Sequence, residues 1–216
     1  MGFIIAVDGP AASGKGTVAS RLAAAYGLPM LDTGLLYRAV GVRLLAIGGD
    51  LDDPSAAEAS ARGLDLSELE KPEVRTRAAG EAASRVAVHP GVRKTLFDLQ
   101  RAFAEREPGA VIDGRDIGTV IAPDAHAKLY VTASPEVRAD RRWKQLTGQG
   151  ESVTFDEILA DIHKRDARDG GRKDAPMTQA VDAILLDTSE MSIEQAFDAA
   201  RRIVEDARAR SGNLPG

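Results

Sequence analysis

The nine residues Gly9-Pro10-Ala11-Ala12-Ser13-Gly14-Lys15-Gly16-Thr17 hold the most specific chemistry in the chain. Glycines at both ends of a short turn let backbone N–H groups converge on one point. A helix opening there adds the positive end of its dipole, so the segment reads as a phosphate cradle. Lys15 supplies a charge able to reach the β- and γ-phosphates of a nucleoside triphosphate. Gly16 stands where a hydroxyl is usual, and the hydroxyl follows at Thr17. Mg²⁺ is therefore expected to rest on ATP oxygens and water, with Thr17 reaching it only through water. The bland alternative is a glycine-rich turn with a chance lysine, but strand, loop, lysine and helix agree in their order.

Two further clusters complement that loop. Asp113-Gly114-Arg115-Asp116 follows the apolar run Ala110-Val111-Ile112 directly, so its side chains leave the C-terminal edge of a strand. Ligands of open α/β sheets bind along that edge. Asp113 could instead simply end the strand. Arg165, Arg168 or Asp169, and Arg172 recur at a helical spacing that allows one shared face. The alternative there is a solvated row of weak ion pairs. Arg138, Arg141 and Arg142 read either as such a row or, with Arg165, as a basic lid across the Gly148–Gly150 break. Arginine forks facing a triphosphate loop suit an acceptor that is itself phosphorylated.

Other chemistries find less support. His89, His126 and His163 lack metal-ligand spacing, and Trp143 reads as packing beneath the lid. The guanine-reading pattern Asn-Lys-x-Asp is absent; His163-Lys164-Arg165-Asp166 comes nearest, with His first. There is no Leu-Ser-Gly-Gly signature, and no Ser-His-Asp arrangement stands out.

These groups need a frame. Phe3–Val7 is an unbroken apolar run, as in a strand buried on both faces. Val18, Leu22, Ala25 and Tyr26 follow at helical spacing up to Gly27. Thr33 is expected to cap a helix to Ile47, and Asp53-Pro54 to open another. Residues 63–71 read as a loop, with helices over 73–88 and 91–105. Strands are expected at 110–113, 128–132 and 183–187. Ser134-Pro135-Glu136 starts a helix to Leu146. Thr154-x-x-Glu157 and Ser192-x-x-Gln195 are capping boxes that open two more. The tail from Ser211 is expected to fray. This alternation predicts an α/β fold with a parallel sheet between helical layers.

Composition agrees. The chain has 216 residues, enough for one domain. It is 44% hydrophobic and 28% charged, too apolar for disorder. The net charge of −5 argues against a nucleic-acid polymer as partner. No apolar run is long enough to span a membrane. MGFIIAVDGP lacks the basic region of a signal peptide, and cysteine is absent, so a cytoplasmic setting is expected.

The segments AVDGPAASGKGT (6–17), LDTGLLYRAV (31–40), AASRVAVHPGVR (82–93), QRAF (100–103), DGRDIGTV (113–120) and KRDARDGGR (164–172) together resemble bacterial cytidylate kinases. These belong to the nucleoside-monophosphate kinases, among the phosphate-loop proteins. The resemblance implies an α/β three-layer sandwich with a helical monophosphate-binding region and a small lid, all in one domain over 1–216. Its core would be 1–32, 108–135 and 180–210, its monophosphate-binding region 33–107, and its lid 138–172. It implies transfer of phosphate from ATP, with Mg²⁺, to CMP and dCMP, in a monomer that binds neither membrane nor nucleic acid.

The resemblance also implies residue roles. Gly9 to Thr17 would hold the ATP phosphates. Arg38, Arg115 and Arg172 would grip the acceptor phosphate. Ser84, Arg93 and Asp116 would read cytosine. Thr33, Asp113, Arg165 and Asp169 would look to the sugar and to support of these contacts. Lys15, Arg115, Arg142 and Arg172 would act on the transferred group. Asp116 would accept from the cytosine amino group and Arg93 would donate to its N3 and O2. One departure is visible: a β-rich insert common in the family is replaced at 50–74 by a short Ala-rich, helical stretch.

Overall fold

The computed structural model describes residues 2–212, without the side chain of Ser211. Five apolar stretches form strands: β1 (Phe3–Asp8), β2 (Met30–Asp32), β3 (Gly109–Gly114), β4 (Ala127–Thr132) and β5 (Ile184–Asp187). They make one parallel sheet in the order β2-β3-β1-β4-β5. Among the described residues eight α-helices accompany it: α1 (Lys15–Tyr26), α2 (Thr33–Ala46), α3 (Pro54–Arg62), α4 (Arg77–Val86), α5 (Pro90–Ala104), α6 (Pro135–Gly148), α7 (Phe155–Gly170) and α8 (Ile193–Ser211).

The unbroken hydrophobicity of β1 follows from cover on both faces. Ile4 and Ala6 join a core beneath α2, α3, α4 and α5, whereas Phe3, Ile5 and Val7 join the core under α1 and α8. In β3, Ala110 and Ile112 go one way and Val111 the other. A third, smaller cluster of Ala139, Leu146, Ile158 and Ile162 glues α6 to α7, with Trp143 packed on it. Gly41 lets α2 approach α4; a Cβ there would lie 2.6 Å from that of Ala82. That close crossing brings Arg38 of α2 toward the α4 side of the site.

Several expectations need correction. β2 was not anticipated, because three residues are too few to show a period. It is held through β3, with Val111 N donating to Pro29 O at 2.9 Å. The cap of α2 is Asp32, which accepts from Gly34 N. Thr33 is instead buried and donates its hydroxyl to Asp113 O at 2.9 Å. Within the presumed loop 63–71, Leu66–Glu70 forms a 3₁₀ turn opened by an Asp65–Glu68 capping box. The helix expected over 73–88 is divided, because Thr76 caps Ala79 N and ends a 3₁₀ turn at Pro72–Arg75. β5 is only partly covered: Leu186 is buried, but Ile184 and Leu185 are exposed. α8 continues through Ser211 to Gly212 in the left-handed region; the rest of the tail lies outside the described residues.

Candidate active site

β1, β2 and β5 end in aspartate, at Asp8, Asp32 and Asp187, and β3 carries Asp113 as its last residue but one. The loop after β1 wraps over this edge. Gly9 has φ +143° and lies so close to β4 that a Cβ would be 2.0 Å from Val131 O. Gly14 has φ +87° and Ala12 φ +61°, which turn the chain before α1. Gly9 and Pro10 are buried beneath the turn, so the lining begins at Ala11. Ser13 is fully buried. Its carbonyl accepts from Thr188 Oγ1 at 2.9 Å and from Arg141 Nη1 at 3.3 Å, while its own Oγ has no partner.

Two clefts meet at this loop. The first, of about 510 Å³, is bordered by Gly14, Thr17, Arg141, Thr188, Met191 and Ile193. The second, of about 1010 Å³, is bordered by Asp32, Arg38, Glu81, Asp113, Lys164 and Arg165. Lys15, Gly16, Thr17 and Arg142 line both. A ligand in each would thus meet its neighbour at Lys15 and Arg142.

The second cleft concentrates cations. Lys15 Nζ lies 3.4 Å from Asp113 Oδ1. Burial pushes the Lys15 ammonium down, aided by Arg115 and opposed by Asp113 and Asp32. Burial pushes the Asp113 carboxyl up, against Lys15. Arg38 donates to Val74 O and Thr76 O at 3.0 and 3.3 Å. A Cβ at Gly80 would lie 3.5 Å from both Arg38 Nη2 and Arg165 Nη1, so these guanidiniums converge on one patch of α4. Burial, with Arg115 beside it, pushes Arg165 down to about 10 against the pull of Asp169. Burial likewise lowers Arg38 and Arg142. Like charges gathered in this way favour an anion among them.

Behind that cleft a second group surrounds Asp169. Its carboxylate takes Arg115 Nε at 3.1 Å and Ser84 Oγ at 3.3 Å, with Arg165 Nε at 3.8 Å. Burial alone would raise Asp169, but Arg115, Arg165 and Arg172 outweigh it and hold the carboxyl low. Arg172 lies beyond the end of α7 and reaches back through Nε to Asp169 O at 3.1 Å. Next to it Arg93 pairs with Asp116, both buried, and Arg93 lies over the Tyr37 ring. Arg93 Nη1 and Arg172 Nη2 are buried without partners. Two orphaned donors in a buried polar group are what a ligand with acceptors would satisfy.

The common face expected of α7 forms through Arg165, Asp169 and Arg172, without Arg168. Arg165 and Asp169 turn toward this group, but Arg168 turns to α4 and binds Glu81 at 2.8 and 3.2 Å. Asp166 turns to α6, where Arg138 grips it at 3.0 and 2.5 Å. Arg138 is not a lid cation open to ligand: it is buried and also donates to Ala133 O and Ala11 O. Arg141 is occupied with Thr188 and Ser13, which leaves Arg142 as the member of that trio on both clefts.

The family model for cytidylate kinase matches residues 5–206. A cytidylate kinase of Caulobacter sp. (strain K31) is 83% identical over the whole of both chains. The chain belongs to the cytidylate kinase family. It thereby belongs among the enzymes that phosphorylate CMP. The cytidylate kinase of Xanthobacter autotrophicus (strain ATCC BAA-1158 / Py2) is 61% identical, over 96% of this chain and 99% of its own. The fold is shared with a solved, uncharacterized protein from Eubacterium ventriosum ATCC 27560 at a TM-score of 0.56 and 14% identity, covering 95% of this chain and 99% of that one.

Within the family frame, three residues escaped the sequence reading. Asp32 borders the second cleft beside Lys15, Gln145 borders both clefts, and Thr188 locks the loop. Asp32 alone carried a usable signal, an Asp two residues before glycine at the start of a helix. Arg138 carries a prediction. Arg138→Ala removes one partner of a largely buried pair, but Asp166 can rehydrate. A loss of about 2 kcal/mol is expected, read as a lower midpoint in urea denaturation; an unchanged midpoint would show the grip to be idle.

Proposed function

We propose that the protein transfers the γ-phosphoryl group of ATP reversibly to CMP and dCMP, giving ADP with CDP or dCDP. The observation that carries this reading is the junction of two clefts at Lys15 and Arg142. ATP lies in the first cleft with its phosphates on Ala11 to Thr17, the buried Gly9 and Pro10 shaping the turn beneath. The monophosphate lies in the second, its phosphate held by Arg38, Arg115 and Arg172, with Thr33, Asp113, Arg165 and Asp169 supporting the sugar and these contacts. The whole chain is read as one kinase domain, with 33–107 binding the monophosphate and 138–172 closing over both. It is read as a cytoplasmic monomer that takes free nucleotides; among the described residues no helix is long and apolar enough to cross a membrane.

The chemistry needs no general base. The second pKa of a phosphomonoester is about 6, so the CMP phosphate already carries its attacking charge at neutrality. One of its oxygens bonds to the γ-phosphorus while the β–γ bridging bond breaks, and that electron pair stays on the ADP oxygen. Lys15, Arg142, Arg115 and Arg172 align the two anions and stabilise the charge that spreads over the transferred group. Among the described residues no three acidic or imidazole groups gather as a metal site. Asp113 is paired with Lys15, and Thr17 is exposed on both clefts. That donor set fits Mg²⁺ held mainly by ATP oxygens and water near Thr17. When bound, the ion neutralises β- and γ-phosphate charge.

Base choice is assigned to Ser84, Arg93 and Asp116. The Arg93–Asp116 pair leaves Arg93 Nη1 as a buried donor beside a carboxylate acceptor. Cytosine presents the matching acceptor at N3 and donor at N4, whereas uracil presents them reversed. A coupled ADP-release assay across CMP, dCMP, UMP, AMP and GMP tests the reading. CMP and dCMP are expected to lead the others by about tenfold or more. Equal rates with UMP would refute the base assignment, and stoichiometric ADP without an acceptor would point to a nucleotide-sensing switch.

A further inference from the structure

Asp8 ends β1 and immediately precedes the loop. It is 4% exposed, and both its oxygens bind main-chain amides across the sheet: Oδ1 accepts from Ile117 N at 2.8 Å, and Oδ2 from Gly118 N at 2.7 Å. These amides open a single wide turn, Ile117–Ile121, of the π type found often at functional sites. Such opening amides have no partner within the turn itself. The turn closes on Asp116: its carbonyl accepts from Val120 N at 2.9 Å, Ile121 N at 3.2 Å and Thr119 Oγ1 at 3.3 Å. The main chain of Asp116 is thus fixed by the turn, and the turn is fixed by Asp8. The β1–β3 register sets Asp8 opposite Gly114, two residues before Asp116.

This placement is costly. Burial pushes the Asp8 carboxyl up to about 7 against its two amide bonds, and the nearby Asp116 and Asp113 push it further the same way. A third buried carboxyl beside two others is poorly explained by stability alone. We propose that Asp8 is a positioning residue for base selection: by gripping the Ile117 and Gly118 amides it sets the Asp116 carboxylate against the exocyclic amino group of the acceptor base. The inference rests on the reading of Asp116 as the carboxylate that selects cytosine.

Asp8→Asn keeps the shape but turns an amide N–H₂ toward a main-chain N–H. The readout is the ratio of kcat/KM for CMP to that for UMP, measured on one preparation so that the folded fraction cancels. In Asp8→Asn the ratio is expected to fall by about tenfold, while KM for ATP changes by less than about twofold. The double variant Asp8→Asn/Asp116→Ala should show the ratio of Asp116→Ala alone, because Asp8 acts only through Asp116. An unchanged ratio in Asp8→Asn overturns the proposal, as do equal losses for CMP and ATP or a double variant with a still lower ratio. A wild-type ratio in Asp116→Ala overturns the base reading itself, whatever Asp8→Asn does. Should Asp8→Asn not fold, Asp8→Glu moves both acceptors outward by one methylene and is judged by the same ratio; an unchanged value there overturns the proposal equally.

Discussion

Lys15→Ala is expected to lower turnover by about 10³-fold or more while the protein stays folded. No arginine stands on the loop: Arg142, which shares the junction, comes from α6. Arg38 and Arg165 lie against α4, Arg115 is tied to Asp169, and Arg141 is committed to Thr188. Lys15 stands on the loop itself, at the junction of the clefts. Stability should change little. Burial already pushes the Asp113 carboxyl up, so leaving it without its partner costs less than stranding a carboxylate with an ordinary or lowered pKa. Single-turnover transfer and thermal unfolding on the same sample check both halves. Near-normal turnover would sink the assignment of the loop.

Asp116→Ala should carry the second large effect. Without the carboxylate, the cytosine amino group faces an empty site, at about 1–3 kcal/mol or roughly 10- to 100-fold in kcat/KM for CMP. The preference over UMP should collapse, with KM for ATP nearly unchanged. A stability loss accompanies it, because Arg93 remains buried with its charge unanswered. Removing one member of a buried pair commonly costs about 3–5 kcal/mol. Assays well below the melting midpoint separate the two effects. Matching losses for CMP and ATP would make Asp116 a structural residue instead.

What the sequence revealed follows contiguity. The loop at Gly9–Thr17, the runs in β1 and β3 and the segment Asp113–Asp116 are each continuous, so periodicity and order expose them together. β2 stayed hidden because Met30-Leu31-Asp32 has no period of its own and is made a strand by its neighbour β3. The break at Thr76 lies just before an Ala-rich run, and one side-chain cap, from Thr76 to Ala79 N, sets where α4 begins. The charges of α7 show the firmest limit. Each step of a helix turns about 100°, so Arg165 and Asp169 share one direction while Asp166 and Arg168 point toward other neighbours. Which carboxylate answers which guanidinium was decided by α6, the helix just before, and by α4, far away in the chain.

The apolar seam between α6 and α7 has a mechanical consequence. It includes Ala11 and Ala12 of the loop, and Arg138 pins the same two helices to each other and to the Ala11 carbonyl. A displacement of either helix is therefore transmitted to the other and to the main chain of the loop at Ala11.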